Sequence, residues 1–450
     1  MTISIFKAYD IRGLVDVEIT ADFCFATGVA FARFLQQERE PGTVVIGEDM
    51  RPSSPAFADA FSAGITSQGL NVIRIGLAST DLLYFAAGKL NFPGAMFTAS
   101  HNPAEYNGIK LCLSGARPIG KESGLLTIER YVSEGSPIDF RSVGSERKQD
   151  MLKEYVDHLL SLVDLSNIRP LKVVIDAGNG MAGHTAPAVF ARLNCEVIPM
   201  YFELDGSFPN HEANPIDVKN LKDLQKAVKK HKADIGLAFD GDADRCFLVD
   251  ENGDPVNPST LTALIADREL KKNPGANIIY NLISSRAVVE IVEENGGKAI
   301  RSRVGHSYIK QLMAETGAVF GGEHSGHFYF RDFWRADSGM LAALHAIAAL
   351  GEVNTALSKI LKPYSRYFSS GEINSKVSDT QNSMLEIDAK YGASAGNEVD
   401  HLDGLTVSGD TWWFNVRASN TEPLLRLNVE AKTQGRMEKI RDEVLATIRG

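Results

Sequence analysis

Two hydrophobic periods alternate along this chain, and their order repeats three times. Short β-branched runs, "TVVIGEDMR" (43–51), "KVVIDAGNG" (172–180) and "NIIYNLISSR" (277–286), each end in polar or glycine-containing residues and lead into a stretch of helical period. β formers bounded by turn residues predict strands, and apolar residues every three or four positions predict helices. A second strand follows in each unit: "NVIRIGL" (71–77), "EVIPMYF" (196–202) and "KAIRSRVG" (298–305). A third apolar run then closes on a polar cluster: "GAMFTASHNP" (94–103), "IGLAFDGDADR" (235–245) and "AVFGGEHSGH" (318–327). The strand-like runs "GIKLCLS", "CFLVD" and "HFYF" come next, so each cluster is expected in a turn between strands. Strands alternating with helices predict α/β units around largely parallel sheets, which hold ligands at strand ends.

The pattern changes after residue 366. "SSGEINSKV" (369–377) and "WWFNVRASNTEPLLRLNVEA" (412–431) predict strands around a loop, and "GRMEKIRDEVLATIRG" predicts a closing helix. That makes a fourth, smaller α+β unit. The expected divisions are residues 1–147, 148–252, 253–366 and 367–450. "GMLAALHAIAALG" (339–351) is too short to span a bilayer and contains His345, so it predicts a buried helix. The lysines of "LKDLQKAVKKHK" (221–232) predict a solvated helix face.

Composition narrows the function. The 450 residues are 44% apolar and 23% charged, as in ordinary globular proteins. A net charge of -10, from 47 basic and 57 acidic residues, argues against a nucleic-acid binder and agrees with a soluble cytoplasmic protein without membrane partners. A local cationic site could still take an anionic substrate. Cys24, Cys112, Cys195 and Cys246 lie far apart with no CxxC pair, which suggests neither zinc nor disulfides. No apolar stretch near the start suggests a secretory signal.

"DGDADR" (240–245) is the strongest chemical signal. Asp240, Asp242 and Asp244 alternate after an apolar run, and three carboxylates so close repel unless a cation joins them. An acidic turn that holds nothing is the competing reading. An EF-hand would place glycine where Arg245 stands and helices where strands are predicted, so that reading fails. Mg²⁺ shared with a phosphate oxygen fits better, with Arg245 as a phosphate partner. Ser100 needs a base, a metal or a phosphoryl group to become reactive. His101 could be that base, with Asn107 and Lys110 on the adjacent hairpin. No GxSxG surrounds the serine, and a capping serine is the alternative. If Ser100 carries phosphate, its oxygen could complete the aspartate site. Glu323, Ser325 and His327 of "GEHSGH" suit hydroxyl-bearing ligands, and "RVGHSYIK" adds His306. Arg417, Ser419, Asn420 and Thr421 of "RASNTEP" could cradle a phosphate dianion, or form a capped turn. Tyr9 and Arg12 of "KAYDIRG" signal nothing by themselves.

In this order, "KAYDIRG", "TASHNP" with "YNGIK", "DGDADR", "GHSYIK", "GEHSGH", "SGEINSK" and "RASNTEP" resemble the α-D-phosphohexomutases, nearest their bacterial phosphomannomutase branch. The resemblance covers essentially the full chain. It implies three similar α/β domains with mixed, largely parallel sheets, plus a C-terminal TATA-binding-protein-like α+β domain, each giving one loop to a central cleft. It implies Ser100 as phosphoserine, and one Mg²⁺ held by Asp240, Asp242, Asp244 and the Ser100 phosphate, with Arg245 beside it. Arg12, His101 and Lys110 would line the reacting centre, with Lys110 as general acid/base at a lowered pKa and His306 as a second candidate. Glu323 and Ser325 would take sugar hydroxyls, with His327 and Tyr9 nearby. Arg417, Ser419, Asn420 and Thr421 would grip the phosphate that does not react. The implied reaction interconverts mannose 6-phosphate and mannose 1-phosphate through a hexose 1,6-bisphosphate, which also serves as activator, with some phosphoglucomutase activity. Ile283 stands where some relatives carry lysine, with Arg286 a partial substitute, and His324 where methionine is frequent. Two other functions use the same residues: a Mg²⁺-dependent phosphatase with Asp240 as nucleophile, and a non-catalytic sugar-phosphate sensor.

Overall fold

The computed structural model describes residues 5–135, 143–377, 379–391, 396–418 and 424–449. The first unit comprises β1 (Ile11–Leu14), α1 (Ala21–Gln37), β2 (Thr43–Glu48), α2 (Ser54–Ser67), β3 (Asn71–Leu77), α3 (Thr80–Leu90), β4 (Gly94–Phe97), β5 (Tyr106–Leu113), β6 (Arg117–Pro118), α4 (Leu126–Glu134) and β7 (Glu146–Lys148). The second comprises α5 (Leu152–Leu162), β8 (Leu171–Asp176), α6 (Ala182–Phe190), β9 (Cys195–Met200), α7 (Lys222–His231), β10 (Ile235–Phe239) and β11 (Cys246–Val249). The third contains α8 (Pro258–Lys272), β12 (Asn277–Asn281), α9 (Arg286–Glu294), β13 (Lys298–Ser302), α10 (His306–Thr316), β14 (Phe320–Gly322), β15 (Phe328–Phe330), β16 (Ala336–Asp337), α11 (Gly339–Gly351) and α12 (Leu357–Leu361). The fourth contains β17 (Phe368–Lys376), α13 (Thr380–Tyr391), β18 (Glu398–Asp400), β19 (Leu405–Gly409), β20 (Trp412–Ala418), β21 (Leu424–Ala431) and α14 (Gln434–Arg449).

The threefold pattern is a threefold topology. The sheets run β1-β5-β4-β2-β3-β7, β11-β10-β8-β9 and β13-β12-β14-β15-β16. In each, a central strand has parallel neighbours on both sides: β2 between β3 and β4, β8 between β9 and β10, β12 between β13 and β14. An antiparallel strand then adds beyond the third strand, namely β5, β11 or β15. Central strands are covered on both faces, so they read as unbroken apolar runs; all five residues of β10 are buried. Each polar cluster therefore sits in the hairpin that joins the third strand of its unit to this antiparallel strand. The fourth sheet is wholly antiparallel, β17-β21-β20-β19-β18.

Packing joins the first three units more closely than the fourth. One apolar core runs through Leu82, Tyr155, Phe239 and Met340, and so through all three α/β units. α11 is buried along its whole length, as its composition predicts, and His345 stacks on Phe330 with ring planes 5° apart. Burial holds that imidazole well below its usual range. The fourth unit keeps its own core around Phe414, Leu427 and Ile440. It meets the third through a small cluster of Leu282, Ile283 and Trp413. Among the described residues no helix is long and apolar enough to cross a membrane.

The buried carboxylate of Asp81 ties three units at one point. It accepts from Tyr155 Oη at 2.7 Å and Ser338 Oγ at 2.6 Å, and also from Ser79 Oγ. Burial pushes its pKa from 3.8 up to about 6, against the pull of these hydroxyls. The folded chain thus holds this proton more tightly than the unfolded chain. Its contribution to stability is complete below the ordinary carboxyl range and is lost as pH rises through 6. Asp81→Asn cannot titrate. The wild-type unfolding free energy, measured relative to this variant, should fall by roughly 1–3 kcal/mol between pH 4 and pH 7 in denaturant titrations. A difference independent of pH contradicts the assignment.

Candidate active site

The three hairpins converge on one cleft, and the first two touch. Ser100 lies in the β4–β5 turn with a left-handed backbone, φ 52°. Its amide donates to Thr98 Oγ1 at 2.9 Å, and its buried hydroxyl donates to Asp240 Oδ2 at 3.0 Å. A Cβ on Gly241 would stand 2.4 Å from the Ser100 carbonyl oxygen, so only glycine lets the β10–β11 turn come this near. His101 Nδ1 lies 3.2 Å from Ser100 Oγ. Burial first, then the Arg245 and Arg12 guanidinium groups, hold His101 well below its usual pKa, so it is neutral at pH 7.

Asp240, Asp242 and Asp244 are all buried, with ligand oxygens within 4.8 Å of one another. At that spacing each carboxylate pair repels by roughly 3 kcal/mol at an effective dielectric of about 20. Two cations answer them. Arg245 Nε donates to Asp240 Oδ2 at 2.8 Å. Lys110 Nζ donates to Asp242 Oδ2 and Asp244 Oδ2, each at 2.6 Å. Antiparallel pairing of β5 with β4 sets Lys110 opposite Met96, so its side chain stands beside the Ser100 turn. Thr80 Oγ1 also donates to Asp242 Oδ2, at 2.6 Å. The carboxyl of Asp240 is pushed up to about 8 by burial, although Arg245 opposes this, whereas Lys110 holds Asp242 far below the usual range despite burial.

The expectation of a lowered Lys110 pKa is corrected here. Burial does press the ammonium downward, but Asp242 and Asp244 outweigh it and hold Lys110 well above its usual value. The donor set fits a hard divalent cation. Asp242 Oδ1 and Asp244 Oδ1 are buried without a hydrogen bond, two charged oxygens that a cation would satisfy.

The other predicted residues that the structure describes have the following partners. Arg12, on β1 opposite Gly108, donates to Asn102 Oδ1 at 2.6 Å and pairs with Asp10. Tyr9 donates to the Val304 carbonyl at 3.4 Å. Glu323 is buried and accepts from Gly305 N at 3.1 Å and Tyr329 Oη at 2.7 Å. Ser325 Oγ lies 3.0 Å from His327 Nδ1, and His327 Nε2 lies 3.5 Å from Asp244 Oδ1, which links the third hairpin to the acidic turn. His306 opens α10, but its side chain lies outside the described residues, as do Ser419, Asn420 and Thr421. Arg417 is described, and it donates to Glu372 Oε2 at 2.8 Å.

Several neighbours escaped the sequence reading. Thr80 left no local signal, because it reaches Asp242 across 162 residues. Glu372 bridges Arg417 and Arg426, the latter at 3.1 Å, and its presence inside "SGEINSK" was the available signal. Asn107 is structural here: buried, it donates to Ser53 Oγ and Ser54 Oγ at the start of α2. Arg286, named as a partial substitute beside Ile283, faces the fourth unit. Its guanidinium donates to the Asp410 carbonyl at 2.9 Å, and Ile283 packs on Trp413.

The chain matches the family "Phosphoglucomutase/phosphomannomutase" in four successive parts: alpha/beta/alpha domain I over residues 4–138, domain II over 153–253, domain III over 257–367 and the C-terminal domain over 372–447. It is 40% identical to a phosphomannomutase of Escherichia coli, over 99% of each chain. It is also 40% identical to a Xanthomonas campestris protein described as phosphohexose mutases, over 100% of this chain and 99% of that one. The crystal structure of a phosphoglucomutase/phosphomannomutase family protein from Burkholderia thailandensis superimposes with a TM-score of 0.91 at 32% identity, covering 99% of this chain and 97% of that chain. Shared topology, shared length and the three converging hairpins have one explanation: the chain belongs to the phosphoglucomutase/phosphomannomutase family.

Proposed function

We propose that this protein is a phosphomannomutase that uses Ser100 as its phosphate carrier and accepts glucose phosphates as a side activity. One observation carries the reading: the Ser100 hydroxyl stands 3.0 Å from Asp240, so the carrier and the acidic trio form a single buried site. Phospho-Ser100 gives its phosphoryl group to the free hydroxyl of a hexose monophosphate. The phosphorus–Oγ bond breaks, a phosphorus–oxygen bond to the sugar forms, and the sugar hydroxyl loses its proton. The resulting 1,6-bisphosphate turns around in the cleft and returns its other phosphate to Ser100. Added hexose 1,6-bisphosphate would load Ser100 by the same step, which makes it the activator.

Neutral His101, beside Oγ, is suited to take a proton, and Lys110, 2.6 Å from Asp242 and Asp244, is assigned as the partner acid/base group. His306 is kept as a second candidate for this work. Arg12 and Arg245 offer fixed positive charge to the phosphoryl oxygens as they pass. Asp240, Asp242 and Asp244, with the Ser100 phosphate, would hold one Mg²⁺, which when bound supplies charge neutralisation to the transferring phosphate. Glu323, Ser325, His327 and Tyr9 are assigned to the sugar, and Arg417, Ser419, Asn420 and Thr421 to the phosphate that stays in place. The phosphatase alternative is not supported. Both oxygens of its nucleophile, Asp240, are engaged, Oδ1 by Arg245 N and Oδ2 by Arg245 and Ser100. The relatives are mutases.

Ser100→Ala should abolish turnover of mannose 1-phosphate and glucose 1-phosphate. Intact mass should show one phosphate gained from glucose 1,6-bisphosphate in the wild type and none in the variant. An active Ser100→Ala enzyme ends the proposal, and a large preference for glucosamine 1-phosphate redirects it. Chelation should remove activity reversibly. Mg²⁺ at about 100 times its Kd should also stabilise the protein by about 2.7 kcal/mol, seen as a rise in Tm. Asp242→Asn should lose most of that rise; an equal rise in variant and wild type would place the ion elsewhere.

A further inference from the structure

We infer that Arg51 is a positioning residue for the reaction: its guanidinium fork, held by Asp49, fixes the backbone of the Ser100 turn so that Oγ points at Asp240. This rests on the reading of Ser100 as phosphate carrier, and nothing in the sequence pattern pointed to it.

Arg51 lies in the turn between β2 and α2, on a different strand end from Ser100, and is only 1% exposed. Its two terminal nitrogens donate to four carbonyl oxygens of one turn. Nη1 reaches Pro103 and Tyr106, both at 2.8 Å, and Nη2 reaches Ser100 at 3.0 Å and Asn102 at 2.6 Å. Asp49, fully buried, faces Arg51 Nε at 3.3 Å. Asp49 is itself held, accepting from Arg51 N at 3.0 Å and Ser54 Oγ at 2.6 Å. The second unit covers the guanidinium with the ring of Phe208, whose centroid is 5.1 Å away.

A planar fork with five donors is the side chain that can bind several carbonyls at once in fixed directions. The turn needs such an anchor because Ser100 sits at φ 52°, a conformation that a non-glycine residue holds only when its surroundings impose it. Thr98 fixes the Ser100 amide, Arg51 fixes its carbonyl, and the side chain between them reaches the acidic turn. Phosphoryl transfer depends on alignment more than on covalent help, so a carrier displaced by a fraction of an ångström loses rate while substrate still binds. Asn102, held by the same fork, in turn accepts from Arg12, so the anchor also reaches a side chain of the reacting centre.

The test compares Arg51→Lys and Asp49→Asn with the wild type and with Ser100→Ala. Lysine keeps the charge but cannot fork, and an amide in place of the Asp49 carboxylate would weaken the hold on Arg51 Nε by removing its negative charge. For Arg51→Lys, kcat and the rate at which Ser100 is loaded from glucose 1,6-bisphosphate, followed by intact mass, should both fall about 10²-fold. KM should move less than about threefold, and the Mg²⁺-dependent rise in Tm should persist. Asp49→Asn should show the same split, about tenfold in kcat, and decides the matter alone if the lysine variant does not fold. Wild-type kcat per folded molecule in both variants overturns the inference, whatever their Tm. So does a parallel loss of kcat, KM and Mg²⁺ response, which would make Arg51 a folding residue only. If Ser100→Ala is dead while both variants are fully active, only this inference fails; an active Ser100→Ala removes the reading beneath it.

Discussion

Three buried carboxylates crowded together are the constraint around which this protein is arranged. Asp240, Asp242 and Asp244 are each 0–1% exposed, and burial of unpaired charge is prohibitive. The fold therefore brings cations to them from two units: Arg245 from the same turn and Lys110 from the hairpin of the first unit. The same demand draws in a hydroxyl from Ser100 and another from Thr80. The site is thus an electrostatic meeting point between units, and each unit's contribution makes sense only beside the others. Two carboxylate oxygens still lack hydrogen bonds, and that residual need is what a divalent ion would meet.

Repeated topology makes such a meeting possible. In each α/β unit an antiparallel strand follows the parallel ones, and the hairpin this creates is held at both ends by sheet hydrogen bonds. Functional side chains on these hairpins are consequently placed with the precision of the sheets, although they belong to turns. Bridges between hairpins complete the arrangement. Arg245 pairs with His327 across the second and third, and Gly241 lies against Ser100 across the first and second.

Packing between the units is uneven. A continuous core and the buried Asp81 node bind the first three units, while the fourth has a core of its own and meets the third through a small apolar cluster and polar contacts of Arg286, Arg301 and Arg303. Glu372, which occupies both Arg417 and Arg426 in this structure, keeps the cationic pair ordered.

Much of this was legible in the residues because it is local. Strand and helix periods, the three polar clusters, the alternating aspartates and the strands after each cluster all follow from neighbours in sequence, and the structure adds that those last strands pair antiparallel. The resemblance to a family joined those clusters into one site. What sequence could not decide were the effects of distant neighbours. Lys110 was expected to lose its proton easily, but two carboxylates more than 130 residues away hold it charged. Arg286 was named as a partial substitute for lysine, and its partner, a carbonyl of the fourth unit, lies more than 120 residues away. Arg51 carried no signal at all, since a guanidinium reveals its purpose only through the carbonyls it binds, and these lie about fifty residues further on. Local propensity determines which elements form; pKa values, charge pairing and side-chain aim depend on the field and packing of the assembled units, which exist only in the folded chain.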